Sequence, residues 1–305
     1  MAGRDRDDRR HPRARQPALE GLRALSKLSH LLDAIKFEHT VFALPFAYIA
    51  MLLAAGGWPG WWTIGWVTAA MVGARTCAMA ANRVVDRWID ARNPRTAGRH
   101  LPTGVLAAWE LKALAIAGAG LMFVSAAMLN PLALALAPLA LAFLVGYSYT
   151  KRFTWASHWI LGFTDGIAAA GGWIAVRGQF DPPAFVLWLA LTVWIAGFDV
   201  IYACQDIDVD RAQRLHSFPA RFGPAAALRM ARVNHLLTAL ALALLGWMTG
   251  LGPLYWIGWA AVVSLLVYEH SLVAPDDFSR INVAFFNVNG YIALIVLAAV
   301  IGGQW

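Results

Sequence analysis

Nine apolar runs limit what this chain can fold into. They lie near 39–56, 61–81, 107–128, 131–149, 157–176, 184–204, 232–250, 253–271 and 282–301. Each approaches the roughly 20 residues that a helix needs to cross about 30 Å of hydrocarbon. Composition agrees. The chain is 59% hydrophobic and 14% charged, against about 45–50% and about 25% in a water-soluble domain. The expected fold is therefore an all-α integral membrane bundle of nine transmembrane helices. The many tryptophans suit the membrane–water interface.

Charge location then sets the topology. The connections at 56–60, 130–131, 177–183 and 249–253 are short turns, and of the 25 Lys and Arg residues only Arg177 falls in them. The connections at 82–106, 150–156, 205–231 and 272–281 carry the basic residues, as loops on the cytoplasmic side do. This predicts a multi-pass protein of the cytoplasmic (inner) membrane with its N-terminus inside. The net charge of +7 thus reflects topology and anionic lipid, not nucleic acid. Residues 1–18 read as a disordered basic tail without the apolar core of a signal peptide. Residues 19–38, with Leu22, Leu25, Leu28, Leu31 and Leu32 at helical spacing, read as an amphipathic interfacial helix. Residues 39–305 form the membrane domain. Cys77 and Cys204 are isolated in sequence and read as core residues, with no pairing or metal-binding spacing.

Two polar patches interrupt this apolar chain. Asn82, Asp86 and Asp90 stand at i, i+4 and i+8, which on a helix is a single face. Asp206 and Asp210, with Asp208 between them, repeat the carboxylate spacing about 120 residues later. Carboxylate and amide oxygens suit Mg²⁺. One patch alone could be a solvated helix end in which Asp86 and Asp90 pair with Arg83, Arg87 or Arg92. Two patches at matching helix ends, on one membrane face, point instead to a site. Facing carboxylate pairs can hold two or more Mg²⁺ ions that clamp a diphosphate. The arginines behind the first patch, with Lys151 and Arg152, would complete an anion cage.

The spacings Asn82-x3-Asp86-x3-Asp90 and Asp206-x3-Asp210 resemble the paired aspartate-rich motifs of the UbiA superfamily of intramembrane prenyltransferases. The run Tyr147-Ser148-Tyr149-Thr150-Lys151 is similar to that family's YxxxK element. The run from Arg95 to Gly104 resembles its RTxxRxLPxG segment. The likeness covers roughly residues 30–301, and nine spans is also the family's architecture. It implies Mg²⁺-dependent transfer of a polyprenyl group from polyprenyl diphosphate to an aromatic acceptor, beside membrane lipid. The resemblance assigns metal binding and catalysis to Asp86, Asp90, Asp206 and Asp210, helped by Asn82. It assigns diphosphate contact or acceptor orientation to Tyr147, Lys151 and Arg152.

Departures from the family pattern narrow the acceptor. Arg83 stands where the family usually has Asp, so it is read as a phosphate ligand rather than a metal ligand. The stretches Lys36-Phe37-Glu38-His39-Thr40, Tyr202-Ala203-Cys204-Gln205-Asp206 and Leu215 to Gly223 resemble the menaquinone branch. That branch implies 1,4-dihydroxy-6-naphthoate as acceptor, with 4-hydroxybenzoate, the acceptor of ubiquinone synthesis, as the close alternative. Both are phenolic carboxylic acids, and Lys36 is the candidate cation for the carboxylate. Asp199, seven residues before Asp206, is expected to line the cavity, with Asp165 a weaker candidate. Tyr202 is a candidate contact of acceptor or diphosphate, and His39 an interfacial or acceptor-pocket residue. A transporter or ion pathway using the same carboxylates is the reading from another functional class. Against it, the charges gather at one face, and no interrupted helices recur in matched halves.

Overall fold

The structure is a computed structural model that describes Lys27, residues 29–35 and residues 43–304. Lys36, His39, all of the basic tail and most of the interfacial segment lie outside the described residues. Among the described residues the architecture is helical, with no strand and one isolated bridge between Ala274 and Asp277.

The helices are α1 (Leu44–Ala55), α2 (Trp61–Val85), the short α3 (Arg87–Ala91), α4 (Ala108–Leu129), α5 (Pro131–Thr150) and α6 (Ser157–Arg177). There follow α7 (Pro182–Tyr202), a 3-10 turn at Ala203–Asp206, α8 (Ile207–Ala212), α9 (Phe218–Phe222), α10 (Pro224–Met248), α11 (Pro253–Ser271), a π-helical segment at Val283–Val288 and α12 (Asn289–Gly303). Each of the nine apolar runs falls on one of these helices. Seven are long and apolar enough to cross a membrane: α2, α4, α5, α6, α7 with its extension to Ala212, α10, and the last helix from Val283. Helix α1 has only 12 residues, and α11 is not among the seven.

Local chemistry explains the boundaries. Proline stands in the first turn of α1, α5, α7, α10 and α11, where its missing N–H costs nothing and its fixed φ fits a helix. Left-handed glycines end α1 (Gly56, φ 62°) and α6 (Gly178, φ 63°), a conformation without Cβ strain only for glycine. Asn130 stitches one turn twice, its Oδ1 accepting from the Ala133 N–H (2.9 Å) and its Nδ2 donating to the Ile174 carbonyl (2.8 Å). Helix α10 begins eight residues before the expected 232, because Gly223 and Pro224 start a helix through Arg229 and Arg232, residues whose polarity reads as loop.

Packing closes α1, α6, α7, α10, α11 and α12 into one ring around a core that includes Phe46, Leu191, Trp194, Leu228 and Ile292. Helices α2, α4 and α5 flank it. Helices α2 and α4 cross backbone to backbone at Gly73 and Gly118: a Cβ on either would come within 2.7 Å of the other's carbonyl oxygen. Such close approach is how apolar helices associate where burial gives no driving force. Ala34 and Ile35 of the N-terminal segment pack on Ala80, Leu106 and Leu111, and Lys27 forms an ion pair with Glu110. The expected interfacial segment, where described, thus sits on the ends of α2 and α4. Cys77 and Cys204 are free and buried. The ends of α2, α5 and α7, with the loops that follow them, gather the polar residues at one end of the bundle.

Candidate active site

Both aspartate patches lie on helix interruptions of the same kind. Asp86 ends α2 and opens α3 with φ −91° and ψ 3°. Asp206 ends the 3-10 turn and opens α8 with φ −105° and ψ 6°. Both occupy the sparsely populated bridge region, where active-site residues often sit. The expected helical face survives the first break, because the Asp86 N–H still donates to Asn82 O and the Asp90 N–H to Asp86 O, each at 2.8 Å.

The first patch is buried. Asp86 is 2% exposed and Asp90 5%. Asp86 Oδ2 accepts from Lys151 Nζ at 2.5 Å and from Asn82 Nδ2 at 3.1 Å. Arg152 Nη2 lies 3.4 Å from Asp86 Oδ1 and donates to the Val85 carbonyl at 2.7 Å. Asn82 Nδ2 also reaches Ser148 Oγ, at 3.2 Å. Asp90 receives Arg99 Nη1 on both oxygens, each at 2.8 Å, and its carbonyl takes the Thr96 hydroxyl at 3.0 Å.

The second patch is held by the loop that follows the first. Arg95 forms a two-pronged contact with Asp206, Nε to Oδ1 at 3.0 Å and Nη2 to Oδ2 at 2.5 Å. Such bidentate geometry fixes direction as well as charge. Asn93 Nδ2 donates to the same Asp206 Oδ1 at 2.9 Å, while Asn93 Oδ1 accepts the Arg95 N–H at 2.9 Å. Burial works against the Arg95 charge, but the Asp206 hydrogen bonds and charge more than offset it, so the guanidinium is held more firmly protonated than usual. Asp210 is half-buried and hydrogen-bonds Ser217. Asp208 is exposed.

Hydrogen bonds to backbone carbonyls tie the two patches together. Gln213 Nε2 donates to the Ile89 carbonyl (3.2 Å), and the His216 N–H to the Lys151 carbonyl (2.6 Å). Tyr202 lies beneath the Arg95 guanidinium, 5.4 Å from ring centre to Cζ, and stacks on Phe285 with centroids 4.0 Å apart. Asp199 accepts from His158 Nδ1 at 2.6 Å. Because His158 Nε2 takes the Phe218 N–H at 3.2 Å, the hydrogen of a neutral His158 must sit on Nδ1, aimed at Asp199. Tyr147 packs against the Ala78, Met122 and Leu144 cluster one turn before Lys151.

Asn82, Asp86, Asp90, Lys151, Arg152, Asp206 and Tyr202 are therefore drawn into one linked network, with Asp199 and Tyr147 on its flanks. Arg83 joins it only through Asn82: the side chain is buried, Nη1 donates to Asn82 Oδ1 at 3.2 Å, and Nε donates away from the carboxylates to the Ala34 carbonyl at 3.0 Å. Among the described residues no three His, Cys, Asp or Glu side chains stand close enough to hold a metal ion. Each of Asp86, Asp90 and Asp206 is instead neutralised by its own cation. Individual roles for Asn93, Arg95, Arg99 and His158 are absent from the sequence reading. The spacing of Arg95 and Arg99 in the RTxxRxLPxG-like run was the available signal; His158 carried none.

Comparison with known proteins places this geometry. The model of the UbiA prenyltransferase family matches residues 43–291. The 4-hydroxybenzoate octaprenyltransferase of Cupriavidus necator is 32% identical over 273 residues, covering 88% of this chain and 94% of that protein. The apo structure of a UbiA homolog from Aeropyrum pernix K1 superposes with a TM-score of 0.80 at 34% identity, covering 87% of this chain and 97% of the other. A UbiA homolog from Archaeoglobus fulgidus, solved bound to DMAPP and Mg²⁺, shares the fold with a TM-score of 0.67 at 17% identity, covering 89% of this chain and 98% of the other. The ion-pathway alternative falls with these matches. A bundle of membrane-spanning helices, two aspartate patches facing across one end, and relatives over nearly its whole length make this chain a member of the UbiA prenyltransferase family, an integral multi-pass membrane enzyme that transfers prenyl groups.

Proposed function

We propose that the enzyme transfers a polyprenyl group from polyprenyl diphosphate to a phenolic carboxylic acid, with Mg²⁺, at the cytoplasmic face of a nine-span inner-membrane bundle whose N-terminus lies inside. In this reading residues 1–18 are a basic tail, 19–38 an interfacial helix and 39–305 the catalytic domain. The observation that carries the proposal is the pair of similarly built half-sites, Asp86 with Asp90 and Asp206 with Asp210, tied through Asn93, Arg95 and Gln213.

The donor chemistry fits magnesium: four carboxylates and the Asn82 amide, all hard oxygen ligands. Asp86, Asp90, Asp206, Asp210 and Asn82 would hold the ions, which when bound neutralise the diphosphate and make it a better leaving group. The chain's own cations do the rest of the binding. Lys151, Arg152, Arg95 and Arg99, now paired with aspartates, would pass to phosphate oxygens as those aspartates engage the metal. Tyr147, on the helix that ends at Lys151, would help orient the substrates. Tyr202, Phe285 and Phe286 form an aromatic wall that would exclude water from the reacting carbon. Asp199, hydrogen-bonded by His158, would meet the acceptor. Lys36 remains the candidate for its carboxylate, and Arg83 supports Asn82 rather than phosphate.

Two acceptors have separate support. The name of the C. necator relative favours 4-hydroxybenzoate, while the first- and sixth-span stretches resemble the menaquinone branch and favour 1,4-dihydroxy-6-naphthoate. Purified enzyme given one prenyl diphosphate, Mg²⁺ and an equimolar mixture of both acids should prenylate one or both, and chelation of Mg²⁺ should stop it. Undiminished turnover in excess chelator, or no prenylation of either acid, would sink the proposal.

A further inference from the structure

A second polar group is buried away from the aspartates, where α10, α11 and α12 meet. Glu269 and Asn289 are both 0% exposed. Asn289 Nδ2 donates to Glu269 Oε1 at 3.2 Å, to the Ala284 carbonyl at 3.1 Å and to the Phe285 carbonyl at 3.2 Å. His235 Nδ1 lies 3.8 Å from Glu269 Oε2, outside hydrogen-bond reach, and 3.0 Å from His270 Nε2. Glu269 Oε2 and Asn289 Oδ1 have no hydrogen-bond partner. A carboxyl and an amide kept in an apolar bundle at this cost need a specific reason.

The backbone they hold supplies one. Residues Val283–Val288 form a π-helical turn, which inserts an extra residue into the helix and strips local carbonyls of their usual partners; such turns occur often at functional sites. The two carbonyls that Asn289 takes, from Ala284 and Phe285, belong to this turn. Glu269 steadies the amide that takes them. The turn carries Phe285, which stacks on Tyr202 at 4.0 Å, and Phe286, 6.1 Å from the same ring. Tyr202 lies under Arg95, which grips Asp206.

Resting on the function proposed above, we infer that Asn289 and Glu269 are positioning residues. They hold the π turn open so that Phe285 fixes the Tyr202 ring, and through it the Arg95 and Asp206 side of the active site. Neither touches the reacting groups. An α-helical relaxation of the turn would rotate Phe285 off Tyr202 while leaving the aspartates in the sequence untouched.

The test follows the ring and the rate separately. In protein labelled with 3-fluorotyrosine, the Tyr202 resonance among the seven tyrosines is identified by its loss in Tyr202→Phe. Asn289→Leu and Phe285→Leu should both shift that resonance, and Glu269→Gln, which keeps the accepting oxygen, should leave it in place. Asn289→Leu should lower kcat/KM about tenfold to a hundredfold, the scale of a misplaced group remote from the chemistry, but less than about threefold in a Tyr202→Ala background. An unmoved Tyr202 resonance in Asn289→Leu, or full additivity with Tyr202→Ala, overturns the inference. If Asn289→Leu does not fold, Phe285→Leu decides: unchanged kcat/KM and an unmoved resonance refute it. Absence of turnover in the unaltered enzyme would strike the proposed function instead, and the resonance would still judge the positioning.

Discussion

The two aspartate half-sites share a backbone but not an environment. Asp86 and Asp206 sit at helix interruptions with nearly the same dihedral angles. Yet Asp86 and Asp90 are sealed under α5 and the loop after α3, while the Asp206 side chain is 15% exposed and Asp208 is open. The first half is built into the bundle: the cations on Asp86, Lys151 and Arg152, follow a transmembrane helix and are positioned by the fold, although Asp90 takes Arg99 from the loop. The second half is reached by Arg95 from a loop, across 111 residues of sequence. Identical spacing thus yields one half that is part of the scaffold and one that is latched onto it. The carboxylates should be equally needed for chemistry and unequally needed for stability.

Chemistry gives the largest expected effect. Asp86→Ala and Asp206→Ala should each lower kcat/KM by about a thousandfold or more, since each removes a carboxylate proposed to hold the Mg²⁺ that neutralises the departing diphosphate. Prenyl-transfer assays on purified variants at saturating Mg²⁺ check this. If Asp206→Ala kept more than a tenth of the activity, the two halves would not be chemical equals. The latch comes next. Arg95→Gln should cost about tenfold to a hundredfold, because it removes both the bidentate hold on Asp206 and a proposed phosphate ligand. Arg99→Gln should behave alike through Asp90. The mark of the latch would be a higher KM for prenyl diphosphate in Arg95→Gln. An effect on kcat alone would place Arg95 elsewhere in the reaction. Because Arg95 is held protonated, the loss caused by Arg95→Gln should not vary between pH 6 and 9.

The same contrast shows what could be read in the sequence. Eight of the nine helices start within about five residues of the expected run, because long apolar stretches between Gly and Pro leave little else to form. The aspartate patches were legible from spacing alone. What spacing could not give was the break at Asp86: an i, i+4, i+8 pattern is the same in a straight helix and in one interrupted at its middle residue. Nor could it give partners. Arg95 and Arg99 stand four apart in one motif-like run but bind opposite halves of the site, a choice made by the fold. The π turn at Val283–Val288 was illegible because the contacts proposed to hold it, including Asn289 bonded to Glu269, join residues on different helices.

Stability should separate the halves where chemistry does not. Asp86→Ala empties a buried position and leaves Asn82, Lys151 and Arg152 one acceptor short; the two cations are about as open to water as Arg95, so the cost lies in the buried site itself, about 1–3 kcal/mol. Asp206→Ala frees a guanidinium that can turn to water, which is worth about 0–1 kcal/mol, as for other solvated pairs. Thermal unfolding in one detergent should therefore show a clear drop for Asp86→Ala and a small one for Asp206→Ala. Equal drops would mean that the second half is as much scaffold as the first.

The smallest effect belongs to Arg83, the residue that most distinguishes the first half from the second, where Ala203 holds the equivalent place three residues before Asp206. Its guanidinium ties Ala34 of the N-terminal segment to Asn82, so it acts on the site only by holding an amide that already has two other contacts, Asp86 and Ser148. Arg83→Lys cannot reproduce a fork that spans two acceptors in different directions, yet Asn82 would keep its remaining bonds. The expected change is a loss of about threefold or less in kcat/KM, with the KM for prenyl diphosphate unmoved and the N-terminal segment cleaved sooner in limited proteolysis. A tenfold rise in that KM would restore Arg83 as a phosphate ligand and make the buried half the more cationic of the two. Faster cleavage with unchanged kinetics would confine it to joining the interfacial segment to the bundle.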